Sequence, residues 1–120
     1  MGKVIASEQT APANMHSVVQ KVTNAKQLTE AWDYFSMKKK PPKGDFNTYE
    51  YYIVSMHESS GCPFKLKNIT VDDDKQELNF YFKHKGGSCT ADALPRTFVI
   101  KVDKDATIGL ENVSIIILES

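Results

Sequence analysis

Cys62 and Cys89 lie just outside the two ends of a segment that reads as a β-hairpin, so the first chemistry on offer is that of sulfur. Phe64 and Leu66 alternate with Lys65 and Lys67, and Leu78, Phe80 and Phe82 alternate with Asn79, Tyr81 and Lys83. That is the period-two signature of strands with one buried face. Between them, Asp72-Asp73-Asp74-Lys75-Gln76 has the composition of a turn. Antiparallel pairing would return the flanks to one place, which predicts a Cys62–Cys89 disulfide. Closing a loop of this length stabilises a fold by roughly 3 to 4 kcal/mol in the chain-entropy model, against a domain total of about 5 to 15. The alternative is two unrelated reduced thiols. A thiolate at either position, paired with His57, would be a nucleophile only if the sulfurs were free.

Other reactive types are present without a complete pattern. Ser59, Ser60 and Ser88 sit near glycine, but no G-x-S-x-G elbow occurs, and only His16, His57 and His84 could serve as bases. Hydrolysis by a His57 pair with Ser59 or Ser60 would also need an orienting group and an oxyanion site. His57-Glu58 and Asp72-Asp73-Asp74 carry metal-ligand atoms, yet the Asp run lacks the spacing of a calcium loop, and Asp favours turns. Two thiols alone fall short of the four ligands of a structural zinc site. Gly86-Gly87 opens no helix that could cradle a phosphate. No catalytic residue, metal ligand or cofactor is assigned.

What remains is a pair of loops. Residues 57–63 and 85–96 would be drawn to one end of the sheet by the disulfide. They bring together His57, Ser59, Ser60, Gly61, Pro63, Thr90, Asp92 and Arg96 as the candidate binding residues. Exposed loops fixed on a rigid sheet are a common way to build a binding module.

The elements that would position these loops follow from periodicity. Residues 16–23, β-branched with polar residues at intervals, predict a first strand. Asn24 and Gln27 have capping-box spacing, and Leu28, Ala31, Trp32 and Phe35 form a stripe at helical spacing, predicting a helix over residues 24–36. Pro41-Pro42 and Lys43-Gly44-Asp45 end it. Residues 50–56, apolar on both faces, suit a central strand. Ile69 and Val71 are out of phase with Phe64 and Leu66, which predicts a bulge near Lys67 or Asn68. Residues 96–104 and 111–119 supply two more strands. The expected architecture is α+β: a curled, mostly antiparallel sheet or incomplete barrel of about six strands with one packed helix.

Size and charge narrow the function classes. One hundred and twenty residues, 41% hydrophobic, make a single domain, expected over residues 16–120. Fifteen basic and fifteen acidic side chains cancel, so no overall field gathers nucleic acid, and Lys38-Lys39-Lys40 beside Pro-Pro reads as a solvated loop. No apolar run reaches the roughly 20 residues of a membrane helix. Residues 1–15 are small, polar and patternless. They are expected to be a flexible tether, the start of a mature exported chain behind an initiating Met, the alternative being an intact cytosolic protein with a floppy start. Any membrane attachment would come through an N-terminal lipid anchor outside this chain.

Asp45-Phe46, Ile53-Val54-Ser55-Met56, the turn Ser59-Ser60-Gly61, Phe64 to Val71, Leu78 to Phe82 and the run Leu94 to Val102 resemble the C-terminal domain of the PrcB-type protease-complex subunit. The resemblance covers residues 45–104 and is one of pattern. Gly61-Cys62-Pro63 stands where that family carries Gly-Gly-Tyr, so no contact of that tyrosine carries over. The chain is also similar to secreted lipoproteins of Gram-positive bacteria. These resemblances imply an exported, often lipid-anchored domain that accompanies a protease without cleaving anything. The expected function is therefore a non-enzymatic extracytoplasmic domain presenting its loops to a protease or envelope partner. The alternatives are a protease inhibitor using loops 57–63 and 85–96, and a thiol- or His-dependent enzyme.

Overall fold

The computed structural model describes residues 1–12, 18–84 and 88–118. Within them the chain forms β1 (Gly2–Glu8), β2 (Val18–Val22), α1 (Ala25–Tyr34), β3 (Tyr49–Glu58), β4 (Phe64–Asp72), β5 (Glu77–His84), β6 (Leu94–Asp103) and β7 (Asn112–Leu118). The strands divide into two sheets, of order β1-β6-β3-β2 and β4-β5-β7. The fold is thus α+β in outline, but it is a two-sheet sandwich rather than one curled sheet or an incomplete barrel.

The division follows from which strands are apolar on both faces. In β3, Tyr52, Val54 and Met56 point one way and Tyr51 and Ile53 the other, and all are buried. Such a strand needs cover on both sides. The small sheet covers one side: Leu78, Phe80 and Phe82 of β5 meet Tyr52, Val54 and Met56 of β3 and Phe98, Ile100 and Val102 of β6. The helix covers the other, packing Leu28, Ala31, Trp32 and Phe35 on Tyr51, Ile53 and Val99. Three layers result, helix on four strands on three.

The helix begins where the capping box places it. The Gln27 amide donates to Asn24 Oδ1 at 2.8 Å, and Gln27 Oε1 accepts from the Thr23 amide at 2.8 Å. Past its C-terminus, the Trp32 indole donates to the Lys39 carbonyl at 2.6 Å, fixing the turn before Pro41. Within the main core, the Tyr52 hydroxyl lies 3.2 Å from Glu50 Oε2, which also pairs with Lys21 Nζ at 2.8 Å. Burial first, then the Glu50 charge, raises the Tyr52 phenol well above its ordinary value. Tyr52 therefore stays a hydrogen-bond donor.

The hairpin β4-β5 pairs antiparallel, with a register shift between Leu66 and Asn68 at the expected bulge. Its turn is held by Asp72 Oδ1, which accepts from the amides of Asp74 and Lys75 at 3.1 and 3.2 Å. That use of the Asp run is structural.

Two expectations need correction, and one strand pairing departs from the mostly antiparallel arrangement. Residues 2–8, read as part of a tether, form edge strand β1 in register with β6. The alanine, serine and polar residues there hide the strand signal, which pairing supplies. Strand β3 runs on through His57 and Glu58, which pair with Pro95 and Leu94, so among the described residues the loops reduce to 59–63 and 88–93. Strand β7 lies parallel to β5, because the chain crosses to the large sheet as β6 before returning. His16, expected in the first strand, and Gly86-Gly87 lie outside the described residues.

Candidate functional site

The two loops meet at the end of the sandwich where β3 passes into β4 and β5 leads toward β6. Register accounts for the meeting. Phe64 pairs with His84, so Cys62 sits two residues outside the ladder on one side and Cys89 five residues outside it on the other. Their sulfurs are joined, with Cα atoms 5.4 Å apart, well inside the ~7 Å reach of a disulfide. Cys62 is buried and Cys89 exposed, so the bridge anchors a solvent-facing loop to the edge of the core.

Around the disulfide runs a second set of ties that uses no sulfur. The Thr90 hydroxyl is its hub: Ser59 Oγ lies 2.7 Å away, Ser60 Oγ 3.0 Å, and the Gly61 amide donates to it at 3.1 Å. Thr90 donates in turn to Asp92 Oδ1 at 2.5 Å, and the Ser60 amide donates to the same oxygen at 3.1 Å. Gly61 sits close against Thr90: a Cβ there would lie 3.2 Å from the Thr90 amide nitrogen, so a side chain would press the two loops apart by a few tenths of an ångström.

Beneath this rim lies a buried carboxylate. Glu58 Oε1 accepts from Arg96 Nε at 2.8 Å, and Glu58 Oε2 accepts from the Phe64 amide at 2.9 Å. Glu58 thus joins the last residue of β3 to the first amide of β4 and to β6. It completes the positioning of the loops, and it was outside the sequence-derived set because a Glu beside Ser-Ser-Gly reads as loop polarity.

The expected binding residues separate into two places. Ser59, Ser60, Gly61, Thr90 and Asp92 form the rim, with Pro63 exposed next to it and Arg96 half-buried below. His57 does not join them. It lines a groove of about 380 Å³ between β2 and β7, among Val19, Met56, Phe64 and Ile117. Neither serine hydroxyl is hydrogen-bonded to His57 among the described residues, both being directed to Thr90. With both cysteines bridged, no free thiol is present. His84, named from the sequence only as a possible base, stacks edge-on against Phe64 at 6.0 Å and lies close to both sulfurs. Counting the hairpin register outward from its turn would have found it.

Asp92 is fully exposed, yet its carboxyl is held down from 3.8 to about 2, first by the Ser60 side chain, then by the Thr90 hydroxyl and the Ser60 amide. A lowered folded-state value means the tie contributes above the ordinary carboxylate range and is lost as pH falls through about 2. The thermal midpoint of Asp92→Ala is therefore expected below that of wild type at pH 7. The gap should close between pH 4 and pH 2. A gap that persists at pH 2 in a scanning-calorimetry series would show that the charged carboxylate is not what ties the loops.

Neither a family model, nor a curated protein, nor a solved structure matches the chain, so its site is read from its own geometry.

Proposed function

We propose that this chain is a non-enzymatic, extracytoplasmic protein-binding domain whose recognition surface is the rim formed by residues 59–63 and 88–93. The observation that carries this reading is the double fastening of two exposed loops. A disulfide and the Thr90–Asp92 network hold as one surface groups whose ordering the hydrophobic core does not require. Ordering side chains and loops before contact lowers the entropy cost of association, which is the benefit a binding module gains from such bracing. The disulfide is compatible with an oxidising, extracytoplasmic compartment. The resemblance to the PrcB-type domain names a protease or another envelope component as the partner, with membrane attachment only through an N-terminal lipid anchor. Nucleic acid is not the ligand of this reading, since charge is balanced over the chain.

The test is capture and cross-linking from a native envelope extract, with wild-type chain beside Pro63→Arg and Ala91→Arg. Both positions are exposed on the rim and have no role in the Thr90 network. A partner retained by wild type and lost by both variants is expected. An identical partner set for all three would overturn the assignment of the surface.

The doubly fastened loop Ser59–Pro63 also favours a second reading, a protease inhibitor that inserts this loop into an active-site cleft. Assay against a panel of proteases separates the two, because uniform inactivity removes the inhibitor and leaves the binding module.

A further inference from the structure

We propose that the reduced protein holds one Zn²⁺ between Cys62 Sγ, Cys89 Sγ and a ring nitrogen of His84, so that metal and disulfide are alternative fasteners of the same two loops. This rests on the cluster itself and stands whether or not the rim binds a protein.

One ligand atom from each of the three residues lies within 4.8 Å of the other two. A tetrahedral site with Zn–S ~2.3 Å and Zn–N ~2.0 Å needs ligand atoms about 3.5 to 3.8 Å apart. The bonded sulfurs must therefore separate by roughly 2 Å and the imidazole approach by at most about 1.3 Å, which side-chain rotation supplies. The backbone already suits both fasteners. Cys62 and Cys89 have Cα atoms 5.4 Å apart, and the Phe64–His84 pair fixes where the imidazole emerges from β5. Cutting the disulfide does not release the loops outright, because the ties from Ser59, Ser60 and Gly61 to Thr90 involve no sulfur. A reduced chain thus keeps its ligands near one another, which lowers the entropy cost of collecting them.

The chemistry balances with a dithiol as reductant. It transfers two electrons and two protons, becomes a disulfide itself, and leaves Cys62 and Cys89 as thiols. Zn²⁺ then displaces both thiol protons to solvent, and neutral His84 donates a lone pair. Two thiolates cancel the charge of the ion, so the half-buried site acquires no net charge. The ligand set, two thiolates and an imidazole, is one that selects zinc over hard cations. The three residues leave one tetrahedral position for a water molecule. Asp72, Asp73 and Asp74 contribute nothing, lying at the far turn of the hairpin.

The experiment titrates the full chain, reduced anaerobically with excess phosphine, first with Co²⁺ and then with Zn²⁺. The expected result is one Co²⁺ per chain, with a thiolate-to-cobalt charge-transfer band and the visible bands of tetrahedral cobalt, all abolished by Zn²⁺. Oxidised protein should show none of these. His84→Ala should weaken Zn²⁺ binding roughly tenfold or more, since even outer-shell partners of metal ligands are worth 10- to 100-fold. Absence of the charge-transfer band, unchanged affinity in His84→Ala, or one metal per two chains would each overturn the proposal. If reduction unfolds the chain, near-UV circular dichroism decides. Zinc-driven recovery of the native spectrum in wild type but not in His84→Ala supports the site, and equal behaviour of the two refutes it.

Discussion

Replacing both cysteines, as Cys62→Ala/Cys89→Ala, is expected to lower stability by about 3 to 4 kcal/mol and the thermal midpoint by roughly 12 to 16 °C. The size follows from the 27-residue separation of the two half-cystines. The bridge removes from the unfolded ensemble every conformation in which those residues are apart, and longer loops lose more. The folded state should change little, because the Thr90 network and the Glu58–Arg96 pair still hold the loops. Scanning calorimetry on the variant, and on wild type with and without reductant, checks this. Reduced wild type in a metal-free buffer should match the variant within a few degrees. A midpoint unchanged by either treatment would mean that the unfolded chain keeps its flanks together without sulfur, and the disulfide could not then be the main brace of the rim.

The hairpin, the helix and the bulge were legible in the sequence because each rests on a local rule. Alternation at Phe64–Leu66 and Leu78–Phe82 requires only that one face be buried, and the slip in phase at Ile69 requires an extra residue in one strand. Asn24 and Gln27 form their reciprocal cap with no tertiary help. Neighbour choice is different in kind. A period of two reports which face a side chain takes, and says nothing of which strand lies alongside. The partition into two sheets, the parallel placement of β7 and the recruitment of Gly2–Glu8 were therefore out of reach. The candidate site shows the same limit. The disulfide followed from counting residues along a hairpin, and His84 follows from the same count. The Thr90 hub depends on loop dihedrals that no spacing rule specifies, so Thr90 and Asp92 could be named as candidate binding residues from their place in the loop but not as the partners that tie it to Ser59, Ser60 and Gly61. His57 was grouped with the rim because strand β3 was expected to end at Met56. Its pairing with Pro95 instead carries it into the groove beside β7.

Truncating Phe80, one of three β5 side chains that join the two sheets, should be among the most damaging single changes in the core. Phe80 is fully buried at the middle of β5, beside Ile69 of β4 and Ile115 of β7, with its ring 5.5 Å from that of Tyr52 in the large sheet. Phe80→Ala removes both the transferred area and the packing around the vacated volume, an expected loss of about 3 to 5 kcal/mol. Tyr81→Ala, next in the chain but on the outer, half-buried face, should cost well under half as much. Urea titrations of the two variants test the contrast. A near-native midpoint for Phe80→Ala would mean that the two sheets do not share one core. The consequence extends to the rim, because β5 ends at His84 and β4 begins two residues after Cys62, and Phe80 helps hold both strands to the large sheet. Simple addition of the losses for Phe80→Ala and the cysteine replacements gives about 6 to 9 kcal/mol. Set against the ~5 to 15 kcal/mol of an ordinary domain, that sum is expected to leave the triple variant largely unfolded at 25 °C. Each parent, having lost only one of its two fasteners between the hairpin and the rest of the chain, should still unfold in a single cooperative transition.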